Sequence, residues 1–271
     1  MLTTLECSFY HVTSPYICIK ASVMEAQYTR NRLYVHEEEQ NRIKNIPILL
    51  AGSGIGSNIA ECALRFGFEN ITIVDGDTIE QSNLNRQNYT HKDISTFKAE
   101  TLYNRLKDIN PRANIQFRKE FITHENVHDI IEGHDIAINA LDFTSDIPIV
   151  FDKICQEKGM HILHPYNLGW GGLVAVITPT GLSLDSLTDE NFNELKMVEY
   201  VAGYLRFWER PNEWLENIIN DYKTEQQNLP PPQLSIASWI VAGMCTHVMF
   251  KIATGKPFKT FPQFYINAIS D

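Results

Sequence analysis

A short apolar run that breaks at once into a glycine-rich turn constrains this chain most. IPILLA (46–51) has the length and continuity of a strand buried on both faces, and GSGIGS (52–57) follows directly. A helix is expected next, with Ile59, Cys62, Ala63 and Phe66 on one face and Gly67 as its stop. Gly52, Gly54 and Gly56 let a backbone approach a ligand closely. The helix start adds free N–H groups and a partial positive charge. Together these parts form a phosphate cradle, which by itself suits NAD, FAD and ATP alike.

The alternation continues. ITIVD (71–75) reads as a second buried strand, 97–110 as a helix closed by Pro111, and Ile115–Phe117 as a strand. Thr123 is placed to cap a helix running to Ile131, AINAL (137–141) is a strand, and Ile147–Glu157 is a helix ended by Gly159. HIL (161–163) and LVAVIT (173–178) are further strands. Such a series predicts an α/β fold: a Rossmann-like, mostly parallel sheet with helices on both faces. Residues 26–45 are polar, with Leu33 and Ile43 at helix-face spacing, and 1–25 form a weakly strand-like N-terminal extension. Residues 181–234 are acidic and aromatic, with Trp208 and Trp214, and are read as a helical insertion. A long apolar helix over Ser235–Ala253, with Gly255 past its end, and a last strand in FPQFYINA (261–268) complete one domain over 26–271.

Composition narrows the function. The chain carries 23 Lys+Arg against 33 Asp+Glu, a net charge of −10, which argues against nucleic acid as the main partner. Its five cysteines are scattered with no CxxC pair, so neither a disulfide framework nor a zinc knuckle is expected. No export signal is read at the start, and the 235–253 helix is read as buried rather than membrane-spanning. A cytoplasmic protein with no membrane partner is the expectation.

The polar residues after the glycine turn say more. Asp75 ends the second strand, where it suits ribose hydroxyls. Asp77, Asn83, Arg86, Gln87 and Lys98 follow, and Asp142 comes just after AINAL. All fall near the strand C-termini, the ligand edge of an open parallel sheet. Two cations and several carboxylates suit a triphosphate with Mg²⁺ better than an apolar nicotinamide slot.

AGSGIGSNIAECALRFGFENITIVDGDTIEQSNLNRQ followed by FKAETLYNRLKDINP resembles the ThiF/MoeB family, relatives of the ubiquitin-activating enzymes. NALD (139–142) resembles that family's DxTD signature and YTRN (28–31) its N-terminal YSRQ; the likeness covers about residues 26–180 and, more loosely, 235–268. The resemblance implies ATP-dependent adenylation of a carboxylate, the C-terminal glycine of a ubiquitin-like protein or peptide, with release of pyrophosphate. It implies that Asp75 holds the ribose, that Asn83, Arg86, Gln87 and Lys98 line the phosphates, and that Asp142 holds Mg²⁺. It also implies a homodimer in which Arg30 reaches the neighbouring subunit's site. Ala51 and Ser53 stand where the family usually has glycine, and Asn139 where it has the first Asp. The segment before Lys98 is one residue short. Neither the family's paired CxxC motifs nor its reactive loop cysteine is present, so no zinc and no thioester step are expected. A small-molecule or tRNA-borne carboxylate, an NAD(P)-linked oxidoreductase, and a non-catalytic partner subunit are the alternatives. Residues 181–229 are expected to frame the acceptor channel, with His164, Tyr166, Asn167 and Trp170 as candidates for its lining.

Overall fold

The computed structural model describes residues 25–187, 192–225 and 229–269. The extension at 1–24, with its strand-like reading, lies outside the described residues. A 3-10 helix over Ala26–Asn31 precedes α1 (Glu37–Asn45), β1 (Ile48–Ala51), α2 (Gly56–Phe66), β2 (Asn70–Val74), α3 (Lys98–Ile109) and β3 (Asn114–Arg118). Then come α4 (Val127–Ile131), β4 (Ile136–Asn139), α5 (Ile147–Glu157), β5 (His161–Asn167) and β6 (Gly171–Ile177). Helices α6 (Glu194–Phe207), α7 (Glu213–Thr224) and α8 (Ser235–Thr254) lead to β7 (Phe264–Ala268).

The strands form one seven-stranded sheet in the order β3-β2-β1-β4-β5-β6-β7. The first five run parallel, and β6 and β7 add antiparallel at one edge. Strand order reverses between β1 and β4, and a crevice opens there beyond the strand C-termini. Alternation along β1 feeds two cores. Ile48 and Leu50 pack under α2, α3 and α8, while Leu49 and Ala51 pack with residues of α4, α5 and α6. Each fully buried aliphatic side chain there contributes about 1.5–3 kcal/mol.

The mostly parallel sheet is as expected, and three other expectations are corrected. Leu33 and Ile43 share no helix face: Leu33 has φ 74° and is exposed in the turn between the 3-10 helix and α1, whereas Ile43 is buried. Thr123 does not cap α4, which starts at Val127; its Oγ1 accepts from Glu125 N, 3.3 Å away, in the preceding turn. The strand begun by HIL continues to Asn167. Beyond Leu163 it has outrun β4 and pairs only with β6, so Pro165 leaves no ladder bond unmade on the β4 side. The parallel series ends at β5, since β6 returns through a tight turn instead of a crossover helix. Helix α8 is long and apolar enough to cross a bilayer, but here Val241, Ala242, Cys245 and Met249 are buried against the core and Gly255 closes it in the left-handed conformation.

Candidate functional site

A cavity of about 940 Å³ occupies the crevice. The glycine turn forms its floor. Gly52, at φ 88°, is fixed by packing: a Cβ there would lie 2.4 Å from Ala140 O, so glycine lets the ends of β1 and β4 close together. Gly56 does not line the cavity, and a Cβ on it would meet Leu50 at 2.9 Å. Only Gly54 acts as open cradle, with Gln87 Nε2 3.1 Å from where its Cβ would stand. The turn is held from below. Ser57 Oγ donates to Gly54 O at 2.7 Å, Asn88 N donates to that hydroxyl at 2.9 Å, and Tyr89 Oη donates to Ser53 O at 2.7 Å. Among the described residues, the N–H groups of Gly54, Ile55 and Gly56 have no protein acceptor. Free donors at the start of the 11-residue α2 suit an anion.

Asp75 does two jobs at once. Its Oδ2 accepts from Ser53 N at 2.6 Å and Ser53 Oγ at 2.8 Å, and its Oδ1 accepts from Asp77 N at 2.8 Å. It thereby clamps the glycine turn while lining the cavity, and Ser53 in place of glycine supplies one of those donors. Lys98, buried at the start of α3, sets Nζ 2.9 Å from Asp77 Oδ2. Asn83 Oδ1 caps its own short turn by accepting from Glu80 N at 3.0 Å. Gln87 Oε1 is buried with no hydrogen-bond partner. Arg86 donates from Nε to Gln233 Oε1 at 2.5 Å and from Nη1 to Ser82 O at 2.9 Å. Burial pulls its pKa below the usual arginine value, and Asp142 opposes that shift.

Asp142 faces the same space from the loop after β4. Solvent reaches it through the cavity, yet the surrounding walls withdraw its carboxyl from bulk water. Its pKa is raised, first by that burial and then by Asp77 and Asp75, against the pull of Lys98 and Arg86. A bound cation would relieve this crowding of carboxylates. No group of three or more His, Cys, Asp or Glu side chains forms a metal site among the described residues. An Mg²⁺ ion fits the donor set only with phosphate oxygens and water completing its shell.

Of the predicted site residues, the fold brings Gly52, Gly54, Asp75, Asp77, Asn83, Arg86, Gln87, Lys98 and Asp142 to one cavity. Arg30 is absent from that lining. It is exposed on the 3-10 helix, which is anchored by its neighbours: Tyr28 Oη donates to Glu69 at 2.7 Å, and Asn31 Nδ2 donates to Phe66 O at 2.9 Å.

The sequence reading missed the buried support beneath Asp142. Asn139 Nδ2 donates to Asp152 Oδ1 at 2.8 Å, and His164 Nε2 lies 2.8 Å from Asp152 Oδ2, all three side chains being buried. An aspartate at 139 would press a second carboxylate against Asp152, so the amide is the residue this core accepts. Within 181–229, the segment expected to frame the channel, α6 and α7 supply an apolar wall that includes Leu195, Val198, Leu215 and Ile219; the sequence reading did not single out these individual residues, nor Glu194, whose Oε1 accepts from Phe143 N at 3.2 Å. Of the four proposed channel residues, His164, Tyr166 and Asn167 line the cavity and Trp170 does not.

The fold and crevice define a class: an open α/β sheet with free N–H donors at a helix start and a polar crevice at its switch point, an arrangement suited to an anionic ligand. Residues 28–269 match the ThiF family, and the chain belongs to it. It is 30% identical over 162 residues to the sulfur carrier protein ThiS adenylyltransferase of Bacillus subtilis, covering 58% of this chain and 48% of that one. It is 34% identical over 142 residues to the tRNA threonylcarbamoyladenosine dehydratase of the same organism, covering 51% and 55%. The chain thus spans about half the length of these relatives. The crystal structure of E. coli MccB with ATP shares the fold, with a TM-score of 0.66 at 16% identity over 90% of this chain and 71% of that one.

Proposed function

We propose that the protein is an ATP-dependent adenylyltransferase acting on the C-terminal glycine carboxylate of a ubiquitin-like protein or peptide. The observation that carries this is the convergence of Lys98, Arg86 and Asp142 on one cavity with the free N–H groups of Gly54 and Ile55. Backbone donors and both cations would neutralise the phosphates, and Asp142 would hold Mg²⁺, which when bound spreads the charge of the phosphate oxygens. An acceptor carboxylate oxygen would bond to the α-phosphorus while the bond to the bridging oxygen breaks, and pyrophosphate would carry that electron pair away. Such a displacement asks mainly for positioning and charge neutralisation.

The charge balance supports a second chain at the site. Among the described residues, six carboxylates line the cavity against two cations, and Lys98 is already paired to Asp77. A polyphosphate therefore needs positive charge from outside: Mg²⁺, and Arg30 of a neighbouring copy in a homodimer. The same acidity disfavours a tRNA-borne carboxylate, because phosphate backbones bind basic surfaces. No step in this scheme uses zinc, and a cytoplasmic setting away from membranes fits the buried thiols of Cys155 and Cys245.

ATP–pyrophosphate exchange with glycine-terminated peptides tests the assignment. Lys98→Ala and Asp142→Ala should each lower exchange by about 10²–10³-fold with an unchanged circular dichroism spectrum. Exchange at the wild-type rate in either variant rejects the role of that residue.

A further inference from the structure

The cavity has two chemically different ends. Around the glycine turn it carries both of its cations and most of its carboxylates. Away from the turn, its wall is Leu195, Val198, Leu215 and Ile219 from α6 and α7, closed by the segment from Leu229 to Gln233. Among the described residues the α6 and α7 wall contributes no cation and its one carboxylate is Glu194, while the closing segment engages Arg86 through Gln233. It also holds Tyr166, on the part of β5 that overhangs β4. Tyr166 is 6% exposed, and its hydroxyl is buried with no hydrogen-bond partner. The ring is fixed from one side by His164, whose ring centre lies 6.4 Å away in a stacked arrangement. Burial, with Asp152 and Glu194 nearby, keeps the phenol protonated. A rigid, neutral, unsatisfied hydroxyl in an apolar wall is a donor awaiting an acceptor.

We propose that this outer end is a specificity pocket that reads an uncharged, aliphatic polypeptide terminus, with Tyr166 Oη as the polar contact that fixes its backbone. The inference rests on the adenylation reading above and adds the acceptor's chemical class to it. An aliphatic side chain next to the terminal glycine buries against α6 and α7. A backbone carbonyl of the same segment accepts from Tyr166. An acidic side chain at that position meets Glu194, and the cation at the closing segment, Arg86, is already held by Gln233 and Ser82, so it is rejected.

Two N-acetylated tetrapeptides, ending Ala-Leu-Gly and Ala-Asp-Gly, serve as probes in MgATP-dependent pyrophosphate exchange. The wild-type protein should use the leucyl peptide at least about tenfold better in kcat/KM. Tyr166→Phe should raise KM for the leucyl peptide about 3–10-fold while leaving kcat and the KM for ATP unchanged. Without peptide or ATP, the same variant should melt at or above the wild-type temperature, because it deletes an unsatisfied hydroxyl. Equal use of both peptides, or an unchanged KM in Tyr166→Phe, overturns the pocket and leaves the adenylation reading standing. A lower melting temperature shows that the hydroxyl is already satisfied in the free protein and overturns its role as the awaiting donor. A protein that binds ATP but exchanges with neither peptide overturns the polypeptide acceptor, and this inference with it.

Discussion

Arg86 Nε lies 2.5 Å from Gln233 Oε1, across 147 residues of sequence. The bond ties the glycine-turn end of the cavity to the segment that closes its outer end, and Asn85 Nδ2 reinforces it with a 3.3 Å bond to Gln233 O. Gln233 therefore occupies the guanidinium that a phosphate would need. Arg86→Ala should lower exchange by about 10²-fold or more, as losses of phosphate-facing cations do. Gln233→Leu should lower the KM for ATP, or leave it unchanged, since the competing acceptor is gone. Steady-state kinetics in varied ATP checks both. A loss in Gln233→Leu as deep as that in Arg86→Ala would mean that Gln233 works on the substrate itself.

A buried carboxylate behind the glycine turn sets part of the acid stability. Glu61 on α2 accepts from Arg65 Nε at 2.8 Å, from Arg105 Nε at 2.5 Å and from Asn88 Nδ2 at 2.5 Å. Burial alone would raise its pKa, but the two arginines and the amide bring it below the ordinary value of 4.5. A carboxylate depressed in the folded state stabilises the protein above its unfolded pKa. That contribution is lost as pH falls through the folded value. Glu61→Gln should therefore cost about 2 kcal/mol at pH 7 in urea unfolding. The deficit should shrink as the pH is lowered below 4.5. A deficit independent of pH would show that Glu61 acts through packing and not through its charge.

The fold was legible because its signals are local. Periodicity marked β1, α2, β2 and β4, and Gly67 and Gly255 marked helix ends through their backbone freedom. That Asp75, Lys98 and Asp142 share one cavity was legible for the same reason, since Asp75 follows β2, Lys98 opens α3 and Asp142 lies in the loop after β4. Other parts depend on partners distant in sequence. Nothing beside Arg86 announces Gln233, and nothing in AINAL announces that Asn139 must serve Asp152. Tyr166 was a channel candidate, but the strand that carries it was read only to Leu163, whereas Pro165 is tolerated within β5 because the strand has there passed the end of β4. The acceptor wall was only outlined, because α6 and α7 present apolar faces that read like any packed helix.

Cysteine chemistry offers a third check. Burial raises the thiols of Cys155 and Cys245 far above the ordinary cysteine range, and Cys62 shifts the same way. A thiol held protonated is a poor nucleophile. No cysteine occurs anywhere between Cys155 and Cys245. Mass spectrometry of the protein with MgATP and a glycine-terminated peptide should find acyl-adenylate and no thiol-sensitive adduct on the chain. A Cys155 or Cys245 thioester would overturn this. Metal analysis of the purified protein should find no stoichiometric zinc.

Arg30 gives the sharpest test of a shared site. The 3-10 helix that carries it is anchored through Tyr28 and Asn31, yet Arg30 itself lies outside its own chain's cavity and exposed to solvent. A guanidinium presented in this way is suited to phosphate in a neighbouring copy, because it is always charged and fork-shaped. Arg30→Ala and Asp142→Ala should each be inactive alone. Co-expressed, they form mixed dimers in which one site combines Asp142 of one chain with Arg30 of the other, while the second site lacks both. With random pairing half the dimers are mixed and half of their sites are whole, so roughly a quarter of wild-type exchange should return. If Arg30 acts only within its own chain, every site stays broken and nothing returns. Absence of recovery, with mixed dimers verified by differential tagging, removes the trans role, and an active Arg30→Ala variant removes Arg30 from the reaction altogether.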